Sequence, residues 1–178
     1  MKKAILLPIV TLLAMALLLF GLSSVLSGVW LQNRQEEHIR MMQTILPGST
    51  TFTKEAYAGE DENIRSVHKG ETGFVVETAV YGYAGDITML VGVSNEGTVT
   101  GLVVRDLSET HTLGREILTD HEYLAQYLNT AGEAEVGVNV DAVSGATVTS
   151  KAVTRSVNSA IAYVTGADVS SGATEWGG

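Results

Sequence analysis

The sequence has no cysteine among its 178 residues. This absence excludes disulfides, cysteine zinc sites, cysteine-ligated iron–sulfur clusters, c-type haem attachment, a lipoprotein anchor and a cysteine nucleophile. A redox role therefore needs a cofactor that is held in another way. A chain without thiols also suits an oxidising compartment outside the cytoplasm.

Basic residues are scarce as well. Eleven lysine and arginine residues stand against 20 aspartate and glutamate residues, and the net charge is −9. Electrostatic binding of nucleic acid needs clusters of lysine and arginine, so this balance argues against it. The hydrophobic fraction of 45% is typical of a folded protein rather than a disordered one.

Charge is missing altogether from residues 4–33, which form a long apolar run. A membrane span needs about 20 such residues. Lys2 and Lys3 precede the run and Trp30 lies near its far end, which predicts a single transmembrane anchor over residues 1–33 with a cytoplasmic N-terminus. A cleaved signal peptide is the alternative, although the hydrophobic part of a signal peptide spans only about 7–15 residues.

The rest of the chain would then lie on the extracytoplasmic side of the cell membrane. Residues 34–69 are expected to form a juxtamembrane helix, over residues 34–46, and a connector. Residues 48–72 lack clear periodicity and are interpreted as a loop with one short strand. Residues 70–165 are the expected folded domain, followed by a Gly/Ser-rich tail over 166–178.

Patterning within this domain favours an α+β fold, an antiparallel sheet with packed helices. Strands are predicted over residues 74–80, 87–93 and 98–104, with glycine-containing turns between them. Helices are predicted over 116–129, with Thr119 or Asp120 as a cap, and over 149–164.

The segment before the last predicted helix carries the most chemical information. Residues 141–150 read DAVSGATVTS and lie between a short predicted strand and the helix. Gly145 and Ala146 keep the turn slim, and the helix N-terminus offers free N–H groups that suit a phosphate. The alternative is that the segment only caps the helix, which is the usual role of serine and threonine at such a position.

This segment resembles the flavinylation motif of the FMN-binding domain family, Asp-x-x-(Ser/Thr)-Gly-Ala-Thr. The family includes the G subunit of the Rnf complex and the C subunit of the sodium-pumping NADH:quinone reductase. The resemblance implies that Thr147 carries FMN through a phosphoester bond and that a flavin transferase attaches it. It also implies that Asp141, Ser144, Gly145 and Ala146 are recognition and turn residues.

Two further segments agree with the family. Residues 81–87 (YGYAGDI) resemble its Gly-Tyr-x-Gly-x-Ile turn, and residues 109–114 (ETHTLG) resemble its Glu-Thr-Pro-Gly-Leu-Gly loop near the flavin. In this chain His111 and Thr112 replace the proline and glycine, which changes the stiffness of the loop. The matching residues that the resemblance assigns to cofactor binding are Glu109, Thr110, Leu113 and Gly114.

The resemblance implies an electron-carrier subunit of an Rnf-type, ion-translocating ferredoxin:NAD oxidoreductase. Its partners would be membrane, iron–sulfur and flavin subunits of that complex, and Thr147 would be an attachment site rather than a catalytic residue. Two alternatives stay open: a free-standing exported flavoprotein for another acceptor, and an anchored scaffold without a redox role.

Two other features have competing interpretations. Residues 168–174 (DVSSGAT) repeat the motif in the tail, so Thr174 is a second candidate for modification or a chance recurrence. Tyr81 and Tyr83 flank a predicted turn, where they either pack in the core or the hairpin or stack on the flavin. The four histidines do not share a helix face at metal-ligand spacing, so no metal site is predicted.

Overall fold

The computed structural model describes residues 2–107 and 113–167, with side chains except at 2–11, 24–34, 106, 107, 113 and 115. The chain divides into two compact units, Met1–Arg40 and Met41–Gly178. The helices are α1 (Lys2–Ile45), α2 (Leu113–Thr119), α3 (His121–Ala125) and α4 (Thr147–Thr165). The strands are β1 (Thr53–Glu55), β2 (Ile64–Lys69), β3 (Gly73–Tyr81), β4 (Asp86–Ser94) and β5 (Val99–Leu107).

The first unit consists of helical residues of α1. Its large apolar side chains between Leu12 and Leu22 are 55% to 75% exposed. Among the residues whose side chains are described, no helical stretch has both the length and the apolar character needed to cross a membrane.

The second unit is built on a five-stranded antiparallel sheet in the order β1-β2-β3-β4-β5. Each strand pairs with its sequence neighbour, as expected when short turns connect antiparallel strands. The longest register joins β3 to β4, from Gly73 opposite Ser94 to Tyr81 opposite Asp86. Bulges interrupt β2 near Ile64 and shift the β4–β5 register twice.

Helix α4 covers one face of the sheet. Alternate residues of β3 and β4 face it, because successive strand side chains point to opposite faces. The buried cluster beneath α4 includes Val76, Val80, Ile87, Met89, Val91, Val153 and Val157. Burying a side chain of this size stabilises the folded state by roughly 1.5–3 kcal/mol. This layer therefore supplies most of the driving force for folding the unit.

The C-terminal end of α1 packs on the opposite face of the sheet. Met42, Ile45 and Leu46 form a second buried cluster with Val75 and Leu90. The close approach depends on glycine: a Cβ atom on Gly101 would lie 2.7 Å from the Cα atom of Ile45. The sheet is therefore covered on both faces within this unit.

The α+β fold with an antiparallel sheet and packed helices is confirmed. The connector differs from the sequence interpretation, since residues 48–72 hold two strands, β1 and β2, rather than one. The helix predicted over 116–129 is broken at Asp120, whose carboxylate caps α3 by accepting from the N–H groups of Glu122 and Tyr123. Helix α4 begins at Thr147, two residues earlier than predicted.

Candidate functional site

The motif segment forms a tight turn that leads into α4. The N–H of Ala146 donates to the carbonyl oxygen of Val143 at 3.0 Å, and Gly145, the third residue of this turn, has φ +82°. A positive φ at that position is costly for residues with a Cβ atom and free for glycine. The Gly-Ala pair therefore sets the shape of the turn.

Thr147 is the first residue of α4 and its side chain is exposed. Ala146 occupies the N-cap position, and no side chain in the described part of the chain caps this helix end. The first amides of a helix lack intrahelical acceptors and carry a partial positive charge. An exposed hydroxyl beside uncapped amides is a donor set that fits a phosphate ester, so the residues present suit FMN.

Lys151 adds a positive charge on the same side of the helix. It lies four residues after Thr147, is exposed, and belongs to the second turn of α4. Residues at this spacing are neighbours on a helix surface, and side chains lean toward the helix N-terminus. The Lys151 ammonium is therefore placed to reach an anion attached to Thr147.

Residues 141–147, called the attachment turn below, lie at the start of α4, at the end of the helix remote from the β4–β5 turn. At the far end of α4, the side chain of Thr165 lies against Gly97 in the β4–β5 turn. The 19 residues of α4 span about 28 Å, and a nine-residue strand spans about 30 Å. The start of α4 therefore lies about 28 Å along the helix from the β4–β5 turn.

The other predicted motif residues divide into exposed and buried positions. Asp141 and Ser144 are exposed, whereas Ala146 is buried against the core under α4. The turn thus combines exposed polar residues with the buried Ala146 and the half-buried Val143, which packs against the same core. Gly114 is buried in α2 and Leu113 is the first residue of that helix.

Several predicted residues lie outside the described residues. These are Glu109, Thr110, His111 and Thr112 in the loop between β5 and α2, and Thr174 in the tail. The contacts expected of the loop with a flavin, and the second motif copy, stay predictions. Tyr81 and Tyr83 are 68% and 67% exposed, so they do not pack in the core.

Sequence reasoning misses two residues that contact the flanks of the attachment turn. The side-chain oxygen of Gln126 accepts from the N–H of Asp141 at 2.8 Å. The hydroxyl of Tyr127 lies 2.9 Å from the hydroxyl of Thr154 on α4. Both contacts join residues far apart in sequence, and the only signal in the sequence is the four-residue spacing of Tyr123 and Tyr127.

Tyr127 stays protonated in this setting. Its side chain is fully buried, and burial raises the pKa of its hydroxyl well above the usual value of 10. The ring packs edge-on against Tyr123 with centroids 5.9 Å apart. A neutral, fixed hydroxyl can donate a hydrogen bond at any physiological pH.

Comparison with known proteins supports a flavin site in this part of the chain. Residues 82–162, which include the β3–β4 turn, the attachment turn and most of α4, match the model of the FMN-binding domain family.

The chain is also similar in sequence to G subunits of ion-translocating oxidoreductase complexes. The chain is 33% identical over 143 residues to the G subunit of the ion-translocating oxidoreductase complex of Methanosarcina acetivorans, which covers 72% of this chain and 76% of the relative. It is 34% identical over 98 residues to the G subunit of the Na⁺-translocating ferredoxin:NAD⁺ oxidoreductase complex of Acetobacterium woodii, covering 50% and 47%. It is 34% identical over 99 residues to the G subunit of the proton-translocating ferredoxin:NAD⁺ oxidoreductase complex of Clostridium ljungdahlii, covering 52% and 53%. The chain thus matches about half the length of the last two relatives.

Proposed function

Since this chain belongs to the family of G subunits of ion-translocating oxidoreductase complexes, which carry an FMN-binding domain, we propose that it is the membrane-anchored electron carrier of such a complex. FMN would be held covalently on Thr147. The observation that carries this proposal is the exposed Thr147 hydroxyl at the uncapped start of α4.

The attachment would proceed from FAD with the help of a separate flavin transferase. The Oγ1 atom of Thr147 attacks the phosphorus of the FMN half of FAD. A phosphoester bond forms, the bond between the two phosphates breaks, AMP leaves, and the hydroxyl proton is released. The amides of the first turn of α4 and the Lys151 ammonium would then hold the phosphate and stabilise its charge.

Bound FMN supplies one- and two-electron transfer, which the side chains of this cysteine-free chain do not offer. The protein's part is to hold and orient the group. A covalent tether keeps FMN on an exported domain, where a dissociated cofactor would be lost. Neighbouring flavin and iron–sulfur subunits would deliver and remove the electrons.

We further propose that residues 1–33 anchor the chain, with the flavin domain on the extracytoplasmic side of the membrane. Residues 4–33 carry no charge, and the described apolar side chains between Leu12 and Leu22 stand exposed, as lipid contact requires. The first turns would place Lys2 and Lys3 in the cytoplasm. Ion movement belongs to partner subunits, because this segment has no intramembrane charge.

Flavin fluorescence in a denaturing gel tests the proposal. The full chain is coexpressed with a flavin transferase, as wild type, Thr147→Ala and Thr149→Ala. Fluorescence is expected in wild type and Thr149→Ala and lost in Thr147→Ala. No fluorescence in wild type beside an active transferase control would overturn covalent FMN and favour an anchored scaffold.

A second stage tests the assignment to a complex. The anchored protein is purified from its native membrane under mild detergent. Co-purification with membrane, flavin and iron–sulfur subunits supports the electron-carrier role within a complex. A flavinylated protein that purifies alone would instead indicate a free-standing exported carrier.

A further inference from the structure

Two consecutive residues after α3 contact the attachment turn and the helix that follows it. Gln126 accepts from the N–H of Asp141, the first residue of the motif, at 2.8 Å. Tyr127 reaches Thr154 in α4, behind the motif, at 2.9 Å. One short segment therefore touches the chain both before and after the residue proposed to carry the flavin.

From the Tyr127–Thr154 contact to the N-cap, two hydroxyls lie along α4, and each donates to the carbonyl oxygen four residues earlier. The Thr154 hydroxyl donates its single proton to the carbonyl oxygen of Ser150 at 3.0 Å, so it accepts from Tyr127. The hydroxyl of Ser150 in turn donates to the carbonyl oxygen of Ala146 at 3.1 Å. Because the Tyr127 proton goes to Thr154, Tyr123 donates to Tyr127 at 3.0 Å.

These hydroxyls are shielded from water. Tyr127 and Ser150 are fully buried and Thr154 is 2% exposed. Hydrogen bonds in such an environment are stronger than at the surface, and a lost partner leaves an unsatisfied group. The buried Tyr127–Thr154 hydrogen bond therefore ties the second turn of α4 to the segment after α3.

The segment that holds the turn is itself fixed to the sheet. Asp120 caps α3, and Leu124 is buried in the core. Shortly after the two contact residues, the N–H of Asn129 donates to the carbonyl oxygen of Val99, and the N–H of Val99 donates to that of Thr130. Gln126 and Tyr127 thus lie between two attachment points to the rest of the fold.

We propose that Gln126 and Tyr127 form a bracket, defined as these two side chains, that positions the attachment turn so that Thr147 meets the flavin transferase in a single conformation. This inference rests on the proposed attachment of FMN to Thr147. Gln126 acts through the backbone of the turn and Tyr127 through α4, and neither needs to touch FMN. They are positioning residues.

The bracket matters because the turn is otherwise polar and exposed. Asp141, Ser144, Gly145 and Thr147 are all exposed, whereas Ala146 is buried in the core and the half-buried Val143 packs against it. Without the bracket the turn would sample several shapes, and an enzyme that recognises one of them would find it less often. The apparent rate of flavin transfer is then proportional to the fraction of chains whose turn has the shape that the transferase recognises.

The test compares isosteric changes in the full-length chain in detergent. Gln126→Met removes the acceptor for Asp141 at nearly constant volume, and Gln126→Glu keeps an acceptor oxygen. Gln43→Met is the matched control, because Gln43 donates to the carbonyl oxygen of Thr50 far from the turn. The initial rate of covalent flavin formation with excess transferase and FAD is measured, together with amide hydrogen exchange in the flavin-free protein.

Gln126→Met is expected to slow flavin formation about fivefold, as the loss of one hydrogen bond implies. Exchange of the Asp141 amide should accelerate by a similar factor, while Gln126→Glu and Gln43→Met stay within about twofold of wild type. Tyr127→Phe should slow flavin formation by a similar factor. If the Tyr127→Phe protein does not fold, the Gln126 variants alone test the bracket. Tyr163→Phe is its control, since Tyr163 donates to Glu55 at the other end of α4.

The inference is overturned if Gln126→Met is flavinylated at the wild-type rate, whether or not exchange changes. It is also overturned if Gln43→Met slows flavin formation as much. Should the wild-type chain take up no flavin, the proposed function fails. The role in flavin transfer falls with it, and hydrogen exchange then tests only whether Gln126 holds the turn: unchanged exchange at Asp141 in Gln126→Met contradicts that as well.

Discussion

The hydroxyl of Thr100 in β5 donates to the carbonyl oxygen of Ile45, the last residue of α1, at 2.6 Å. The final carbonyl groups of a helix have no intrahelical donor, so this side chain satisfies one of them. Gly92 and Gly101 leave the space for Ile45 to approach the sheet. The end of α1 is thereby fixed to the face of the sheet opposite α4.

Replacing Thr100 by valine should destabilise the second unit. The change keeps the shape but leaves the Ile45 carbonyl oxygen without its donor, at a cost of about 1 kcal/mol in the free energy of unfolding. Urea denaturation of the full chain measures it. Thr53→Val, on the exposed edge strand β1, is the control and should change stability by less than about 0.5 kcal/mol. Equal losses in the two variants would contradict the capping role.

Glu71 should make stability depend on acid pH. Its carboxylate accepts from the N–H and hydroxyl groups of Thr50 and Thr51 at 2.8–3.2 Å. The hydroxyl of Thr51 contributes most to lowering the pKa of Glu71 from 4.5 to about 2. A carboxyl with a lowered pKa in the folded state stabilises fully above its unfolded value and loses that contribution as pH falls.

The stability difference between wild type and Glu71→Gln should therefore be constant above pH 4.5 and shrink as the pH falls toward 2. Denaturation followed at a series of pH values measures it. Glu96→Gln, which makes the same charge change in the exposed β4–β5 turn, is measured beside it as the control. A difference that grows on acidification would contradict the sign of this effect.

Gly145→Ala should impair flavin attachment beyond its effect on stability. Alanine in a left-handed conformation costs about 1–2 kcal/mol, so the turn would shift to relieve the strain. Gly137→Ala is a matched control, because Gly137 has φ +85° but lies outside the attachment turn. Both variants should lose similar stability, and only Gly145→Ala should slow covalent flavin formation. Equal slowing would show that strain alone is responsible.

Lys151→Gln should slow flavin attachment through charge. Removing an exposed ammonium beside the phosphate should reduce the rate about threefold at low salt. The difference should vanish at about 0.5 M salt, where exposed charges are screened within a few ångströms. Lys54→Gln, on exposed β1, is the control with the same charge change. An effect that persists at high salt would point to a packing role for Lys151.

Local pattern is sufficient to predict the central part of the fold. The strands β3, β4 and β5 are long, rich in β-branched residues and joined by glycine turns, so their existence follows from periodicity. Strand β2 escapes prediction because its burial pattern does not alternate, and a register shift after Ile64 breaks the period of two. Strand β1 has only three residues, too few for a periodic pattern, and it forms because it pairs with β2.

The candidate site is predictable only where its chemistry is local. Residues 141–147 are contiguous, and the turn and helix start that they form depend on near neighbours. The support given by Gln126 comes from a residue 15 positions away, and that given by Tyr127 joins residues 27 positions apart. No periodicity in a single sequence reveals such pairs, because tertiary packing decides them. The break at Asp120, which separates α2 from α3, escapes the helical pattern for the same reason.

The proposed function depends most directly on the residue that carries the flavin. The full-length protein, isolated from its native membrane, is digested, and the flavin-bearing peptide is sequenced by mass spectrometry. A single FMN phosphoester on Thr147 is the expected result. Flavin on Thr174 alone, or only dissociable flavin, would contradict the proposal.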